Sequence, residues 1–337
     1  MPANLSPEYK AAELHYRQAR DPKERLQWLR EMLRVIPKHK GTDHLQGDIK
    51  RRIKALSEEV ESSSRHGGAR SAPAIFIRSE GAAQLGLIGP PNSGKSSLHA
   101  RLTGSNVHVA PYPFTTQYPE PGMMPYLDIA FQLIDLPPIA PEHQLPWIAD
   151  AIQGADGCLL VIDLSDAACV EQVQAVRDVL QQRHVSLTEC WDPGAEERPE
   201  DDPFALCLPT LLLDNKADRL GNPEEDLEVF RELTGVRYPA LAVSAVSGVG
   251  LGEIGPFLFN GLHIVRAYTK MPGHPPDRDR PFTLRHGQTV GDVARLVHPD
   301  LVRTLRYARV WGKSGFDGQH VGLDHRIEDG EVIELHG

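Results

Sequence analysis

The sequence contains no apolar run approaching the ~18–20 residues that a helical membrane span requires, so a bilayer-crossing helix is excluded. Met1 to Lys10 also lack the basic-then-apolar pattern of a secretory leader, and a cytoplasmic chain with no membrane partner is expected. Cysteine is scarce. Cys158, Cys169, Cys190 and Cys207 have neither CxxC spacing nor a nearby HxxxH pair, which points to reduced thiols rather than metal ligands. The 15 histidines are scattered, and His320 and His325, in a Gly-rich strand-and-turn region, read as surface or packing residues. No internal repeat is present. Positive charge is in short supply too, with a net charge of −10, but the deficit is unevenly spread. Residues 1–70 carry 15 Lys/Arg against 10 Asp/Glu, residues 278–337 carry 9 against 9, and the middle carries 12 against 27. An acidic centre behind a basic N-terminal segment suggests nucleic-acid contact away from the core.

What is present divides into three regions. In residues 1–70, Ser6-Pro7 and Asp21-Pro22-Lys23-Glu24 place capping side chains before a proline at the first helical position, the second with a capping box. Leu26, Leu29, Leu33 and Ile36 then recur at helical spacing until Pro37. Thr42 can cap a further helix with the stripe Leu45, Ile49, Ile53, Leu56 and Val60, whose other face carries Lys50, Arg51, Arg52 and Lys54. The economical picture is a helical hairpin with one basic face. A Ser/Gly-rich linker ending at Pro73 leads into residues 74–270, where strands and helices alternate as in a mostly parallel α/β sheet. Expected strands are Gln84–Gly89, Ile129–Asp135, Gly157–Leu164, Pro209–Asn215 and Ala240–Ser244, with helices beginning near Lys95, Pro141, Asp166, Pro223 and Leu251. The polar insert Ser186 to Pro203 reads as a solvated loop. Past the Pro-rich stretch 270–277, residues 278–337 read as a small α+β module with strands Phe282–Arg285, Tyr307–Trp311 and Glu331–Leu335 and a helix after Thr289.

The middle region carries the chemistry. Gly89-Pro-Pro-Asn-Ser-Gly94-Lys95-Ser96 follows a buried strand and opens a helix, the setting a phosphate-binding loop requires. Its glycines let backbone N–H groups converge on phosphate, and the helix N-terminus adds its dipole. Gly89, Asn92, Ser93, Gly94, Lys95, Ser96 and Ser97 are the candidate contacts, with Lys95 reaching the β- and γ-phosphates and Ser96 ligating Mg²⁺. Asn215-Lys216-Ala217-Asp218 ends a later strand. A carboxylate at Asp218 can accept from N1–H and the exocyclic amine of guanine, whereas adenine would leave it unpaired. Asn215 and Lys216 brace the base loop, and Ser244-Ala245 closes it. Asp135, at a strand end, can hold Mg²⁺ through water, and Thr116, favoured over Thr115, is placed to reach the metal and join Lys95 in catalysis when γ-phosphate is present. The expected ligands are therefore GTP and GDP.

Ala110-Pro-Tyr-Pro-Phe-Thr-Thr116, Asp135-Leu-Pro and the phosphate loop resemble the Obg-related GTPases, and within them the developmentally regulated GTP-binding proteins most of all. Tyr307-Ala-Arg-Val-Trp-Gly-Lys-Ser and Val321-Gly-Leu-Asp-His-Arg-Ile-Glu-Asp-Gly-Glu-Val resemble their TGS domain, and Lys38-His-Lys-Gly-Thr-Asp-His-Leu-Gln-Gly their N-terminal helical region. The resemblance implies a P-loop NTPase fold (the G domain) after a helical region and before a β-grasp TGS domain. It also implies a GTPase acting with ribosomes or RNA in translation. Asn92 resembles the loop asparagine that related GTPases use for K⁺; simple loop bracing is the alternative. Two departures stand out. One is Pro138, which replaces the switch glycine that donates its N–H to the γ-phosphate; Ile139, where other GTPases place a water-orienting glutamine, is a hydrophobic replacement that this group of families shares. The short acidic insert is also smaller than the family's inserted subdomain. A slow GTPase is expected, with a non-hydrolysing GTP sensor that binds a protein partner as the alternative. Arg295, Arg303, Arg306, Arg309 and Lys313, interleaved with Tyr307 and Trp311, are the expected RNA contacts of the last module; the alternative is that the arginines are solvated and the aromatics pack its core.

Overall fold

The computed structural model describes residues 6–19, 22–37, 42–65, 77–104, 118–142, 145, 147–192, 205–298, 300–313 and 315–337. Asp21, the stretch 38–41, the linker 66–73, the loop bearing Thr115 and Thr116, and the acidic stretch 193–203 lie outside them. The chain divides into two compact units, 1–73 and 74–337.

The first unit contains α1 (Pro7–Gln18), α2 (Pro22–Val35) and α3 (Asp43–Arg65). Ser6 caps α1 by accepting from the Tyr9 N–H at 3.1 Å, as its place before Pro7 predicts. The α2 stripe is buried at Leu26, Leu29, Met32 and Ile36, and α3 contributes Ile49. Thr42, expected as the α3 cap, directly precedes Asp43, donates to the Pro37 carbonyl at 2.5 Å and accepts from Gln46 Nε2 at 3.2 Å. Lys50, Arg51 and Lys54 are exposed on α3, Arg52 is half-buried, and Arg51 is paired with Asp48 on the same face.

The second unit holds two sheets. The larger is built from β1 (Ala83–Ile88), β2 (Glu120–Tyr126), β3 (Ile129–Asp135), β4 (Gly157–Ile162), β5 (Val185–Thr188), β6 (Leu206–Asp214) and β7 (Ala240–Ala242). Their order is β2-β3-β1-β4-β6-β5, with β7 also on β6. All pairs are parallel except the β2–β3 hairpin. β1 and β4 are buried at every position, which is why they read as unbroken apolar runs. Helices α4 (Lys95–Thr103), α5 (Ile148–Ile152), α6 (Cys169–Gln181), α7 (Pro223–Thr234) and α8 (Ile254–Gly261) complete the layers. One core joins Ile88, Ile134 and Leu160 to Val173, Val176 and Phe230, and a second joins Leu85, Leu87 and Phe131 to Leu98 and Leu258. The sheet is thus covered on both faces, leaving its carboxyl strand ends to carry the functional loops.

The second sheet has the order β11-β10-β12-β8-β9, from β8 (Ile264–Thr269), β9 (Asp277–Arg285), β10 (Tyr307–Trp311), β11 (Gln319–Val321) and β12 (Glu331–His336). With α9 (Val290–Val297) and α10 (Leu301–Thr304) it encloses its own core of Val265, Ala267, Leu284, Val293, Ala308 and Ile333. Thr289 caps α9 in a capping box with Asp292. Arg266 joins the two sheets, donating to Asp128 at the β2–β3 turn and to Asp329 beside β12, both at 2.8 Å, while Tyr268 also donates to Asp128. Arg285 reaches the Ala82 carbonyl at 3.0 Å and Asp156 at 3.1 Å.

Two expectations need correction. The border between the sheets falls before Ile264 rather than in the stretch 270–277, because β8 pairs in parallel with β12 and buries Val265 and Ala267 in the smaller core. The insert starting at Ser186 does not open as a solvated loop: Val185–Thr188 is a strand beside β6. Trp191 then packs edge-on against Phe257 at 5.1 Å and donates its indole N–H to the Thr210 carbonyl at 3.3 Å.

Candidate functional site

The loop from Gly89 to Gly94 sits at the carboxyl end of β1 and feeds α4. Gly89 has φ +151° and lies so close to β4 that a Cβ would stand 2.3 Å from the Val161 carbonyl. Gly94, with φ +87°, begins α4, and a Cβ there would lie 2.3 Å from the Asn215 amide. No other residue type fits either position without moving backbone or a buried side chain. Between them Asn92 takes a left-handed φ of 60°, which asparagine tolerates, and Ser93 donates to the Pro90 carbonyl at 3.0 Å. Lys95 is buried and folds back to donate to the carbonyls of Gly89 at 3.1 Å and Pro90 at 2.8 Å. Burial pushes its ammonium down to about 8, against the attraction of Asp135. Among the described residues its hydrogen bonds go to two neutral carbonyls, and a buried cation so held has capacity to spare for an anion. Ser97, in the first turn of α4, is half-buried.

Three loops meet behind this one. Asn215, buried at the end of β6, donates to the Ser93 carbonyl at 2.9 Å and accepts from the Ala245 N–H at 3.1 Å. One amide therefore ties the loop after β1 to the loops after β6 and β7. Lys216 has a left-handed φ of 66° and spans from the Asn92 carbonyl at 2.8 Å to Asp163 at 2.6 Å. Burial opposes ionisation of Asp163, but the bonds from Lys216 and Ser165 hold its carboxyl below the usual range. Asp218 is exposed in the turn Ala217–Arg219, while Ser244 is buried and accepts from Ser247 N–H at 3.0 Å, shaping the turn that presents the Ala245 N–H. The chain thus brings Asn215, Lys216 and Ala245 to one edge of the candidate phosphate loop, with Asp218 and Ser244 following Lys216 and preceding Ala245 in the same two loops.

Ser96 donates to Asp135 Oδ2 at 2.5 Å, and Asp135 Oδ1 is buried with no hydrogen-bond partner among the described residues. Burial raises the Asp135 carboxyl, with Ser96 and Lys95 opposing. An orphaned carboxylate oxygen beside a hydroxyl is a donor set of the hard oxygen type that suits Mg²⁺. Thr116 lies outside the described residues. Beyond Asp135 the chain runs along the phosphate loop, Ile139 donating its N–H to the Gly89 carbonyl at 3.1 Å and burying its side chain. Pro137 and Pro138 have no N–H, and that of Ile139 is engaged, so the segment 137–139 offers no free backbone donor.

Sequence reasoning missed Asp163 and Asp214. Asp163 ends β4, and a carboxylate at a parallel strand's carboxyl end, level with the lysine of Asn-Lys-x-Asp, was the available signal. Asp214 is buried beside Asn215, accepts from the Leu164 N–H at 3.1 Å through Oδ1 and leaves Oδ2 without a partner among the described residues. Burial pushes its carboxyl up to about 7.

A sequence family described as "50S ribosome-binding GTPase" matches residues 84–189, and the TGS domain family matches residues 265–336. An uncharacterized GTP-binding protein of Methanocaldococcus jannaschii is 27% identical over 370 aligned residues, covering 93% of this chain and 92% of that protein. Developmentally-regulated G-protein 2 of Arabidopsis thaliana is 25% identical, with coverages of 93% and 90%. Ribosome-interacting GTPase 1 of Saccharomyces cerevisiae is 25% identical, with coverages of 93% and 98%. The solved structure of a GTP-binding protein from Pyrococcus horikoshii OT3 superposes with a TM-score of 0.50 at 16% identity, covering 75% of this chain and 99% of that one, which shows the fold alone. No described helix is long and apolar enough to cross a membrane. The chain thus joins a segment of the 50S ribosome-binding GTPase family to a TGS domain, and along its length it is similar to GTP-binding proteins of the developmentally regulated type.

Proposed function

We propose that the protein is a slow, cytoplasmic GTPase whose nucleotide state regulates association with the ribosome or its RNA. The observation that carries the nucleotide half is the Asn215 amide, which holds the candidate phosphate loop, base loop and closing loop in one frame. In this reading Gly89, Asn92, Ser93, Gly94, Ser96 and Ser97 line the phosphates, and Asp218, backed by Lys216, Ser244 and Ala245, reads guanine. Lys95 exchanges its two carbonyl partners for phosphate oxygens and stabilises charge on the β–γ bridge. Ser96, Asp135 and Thr116 would hold Mg²⁺, which when bound neutralises charge developing on the phosphate oxygens. The exposed Asn92 is the candidate K⁺ contact, and turnover compared in K⁺ and Na⁺ tests it. The partner half draws support from the name of the yeast relative and from the exposed basic residues Lys50, Arg51, Lys54, Arg303 and Arg306.

A second reading, a non-hydrolysing GTP sensor that docks a protein partner, is favoured by the missing backbone donors at 137–139. Single-turnover GTP hydrolysis, with ribosomes titrated in, decides between them. Turnover that rises with ribosomes supports the first reading. None at any ribosome concentration, with nucleotide still bound, supports the second.

A further inference from the structure

The outer face of the smaller sheet carries an array that neither the nucleotide site nor the core uses. Along β10, Ala308 and Val310 enter the core, while Tyr307, Arg309 and Trp311 alternate with them on the opposite face. Tyr307 is paired in register with His336 of β12, and Arg309 with His320 of β11. The rings stack across the strands. Tyr307 lies 4.6 Å from His320 at 13° between planes, and 4.5 Å from His336 at 11°. Parallel rings at this spacing form one continuous stack of three.

Both ends of the stack are defined. At the inner end His336 Nε2 lies 2.6 Å from Glu334, a buried carboxylate that also pairs with Lys270 at 3.0 Å. Lys270 in turn sits 3.8 Å over the Trp311 ring. At the outer end is His320, exposed and on the edge strand of the sheet, so no further strand covers its outer side. Arg309 Nε donates to His320 Nε2 at 3.0 Å, which fixes the ring's tilt. The stack is therefore anchored by charge on the inside and ends in an open ring face on the outside. Arg303, Arg306 and Lys313 are exposed in the same module, and the Arg306 N–H donates to the His336 carbonyl at 2.9 Å.

We propose that the His336–Tyr307–His320 stack is a binding platform for single-stranded RNA, with an unpaired base continuing the stack on His320 and the neighbouring arginines holding the flanking phosphates. This rests on the RNA-association reading above and names the element recognised. A base inside a duplex has both faces covered by its neighbours, so an open ring selects unpaired strands, and stacking is tolerant of base identity because every base offers a π-face. The cations add a sequence-independent, salt-sensitive term.

The test uses the full-length protein and a 12-nucleotide RNA with 2-aminopurine at its centre, whose fluorescence is quenched when the base stacks. The wild type is expected to bind with quenching, and a matching duplex RNA to bind more weakly. The same strand as DNA separates a requirement for ribose from stacking and charge alone. His320→Ala should weaken binding about tenfold, within the range for loss of one base stack, and abolish the quench. His320→Phe should retain both, and all variants should keep wild-type GDP affinity and melting temperature. His320 lies on an exposed edge strand, so its replacement leaves the core intact. Binding without quenching, equal affinity for duplex, or full binding by His320→Ala overturns the platform while leaving the RNA reading in place. If the wild type binds neither this RNA nor ribosomes, the RNA reading itself is lost.

Discussion

Asn215→Ala is the sharpest perturbation the site offers, because one side chain joins three loops. The substitution removes two hydrogen bonds, at 2.9 Å to Ser93 and 3.1 Å from Ala245, in a residue only 2% exposed. Each is worth about 1 kcal/mol net, and stranding the buried Ser93 carbonyl and the partly covered Ala245 N–H adds a desolvation penalty of about 1–3 kcal/mol. The expected destabilisation is about 3–5 kcal/mol, which for a domain of this size lowers the melting temperature by roughly 6–20 °C. GTP and GDP affinities should fall together by at least about tenfold, since the brace joins the candidate phosphate loop to the candidate base loop, and both nucleotides would use both loops. Differential scanning calorimetry and titration with fluorescent GDP and GTP analogues read both effects. Asp218→Ala is the control: Asp218 is exposed and has no described partner to lose, so nucleotide affinity should drop with little change in the melting temperature of the nucleotide-free protein. An Asn215→Ala protein that melts within a degree of wild type and keeps its GDP affinity would refute the reasoning.

Asp218→Asn should weaken GTP at least about tenfold and favour xanthosine triphosphate, whose carbonyl accepts from an amide; competition binding measures it. Pro138→Gly restores a backbone N–H and should tighten GTP relative to GDP, where the wild type discriminates weakly; brisk unaided hydrolysis by the wild type would contradict this account of the switch. Asp214→Asn should stabilise the protein above neutrality and flatten its pH dependence. The Asp214 carboxyl is raised to about 7 on folding, so the folded state holds an extra proton between about 4 and 7 and stability falls as pH rises through that window, by up to a few kcal/mol. Urea midpoints at pH 5 and pH 8 in wild type and variant give the difference directly. Asp128→Ala strips Arg266 and Tyr268 of a shared acceptor in a partly exposed clamp and should cost about 1–2 kcal/mol in thermal unfolding of the second unit.

The loops of the candidate nucleotide site were legible because their geometry is fixed by local chemistry. Gly89 and Gly94 stand where a Cβ would strike backbone or the Asn215 amide, and the Asn-Lys-x-Asp loop must end a strand to reach them. The strand Ile129–Asp135 coincides with its apolar run, since burial on both faces leaves no alternation to misread. Strand β2 was not legible: Pro121 and Pro125 speak against a strand, and only Met124 is buried in it, so its pairing comes from β3 alone. The placement of Ile264–Thr269 in the smaller sheet depends on partners some 65 residues downstream, which no local pattern contains. The His336–Tyr307–His320 stack was invisible for the same reason. His320, read as a packing or surface residue, comes into line with Tyr307 and His336 only when β11 and β12 flank β10.

The β2–β3 hairpin gives the two sheets a physical connection that neither sequence half suggests. At one end Glu120 is in register with Asp135, the candidate metal ligand; at the other the turn at Asp128 is held by Arg266 and Tyr268 of β8. Seven paired positions of extended chain make this a continuous rod of roughly 20 Å between the nucleotide end of the larger sheet and the first strand of the smaller one. β2 is an edge strand with a single buried side chain, so it resists sliding far less than β3, whose partners lie on both sides. Arg266 is the stiffer element: its guanidinium is forked between Asp128 and Asp329, and those bonds, against some desolvation, hold its charge well above the ordinary range. A displacement of the hairpin must therefore either carry the smaller sheet along through Arg266 or give up the Asp128 bonds while Asp329 retains the guanidinium. The fork at Arg266, with Arg285 on the Ala82 carbonyl and Asp156, thus ties the larger sheet to the sheet bearing the ring stack.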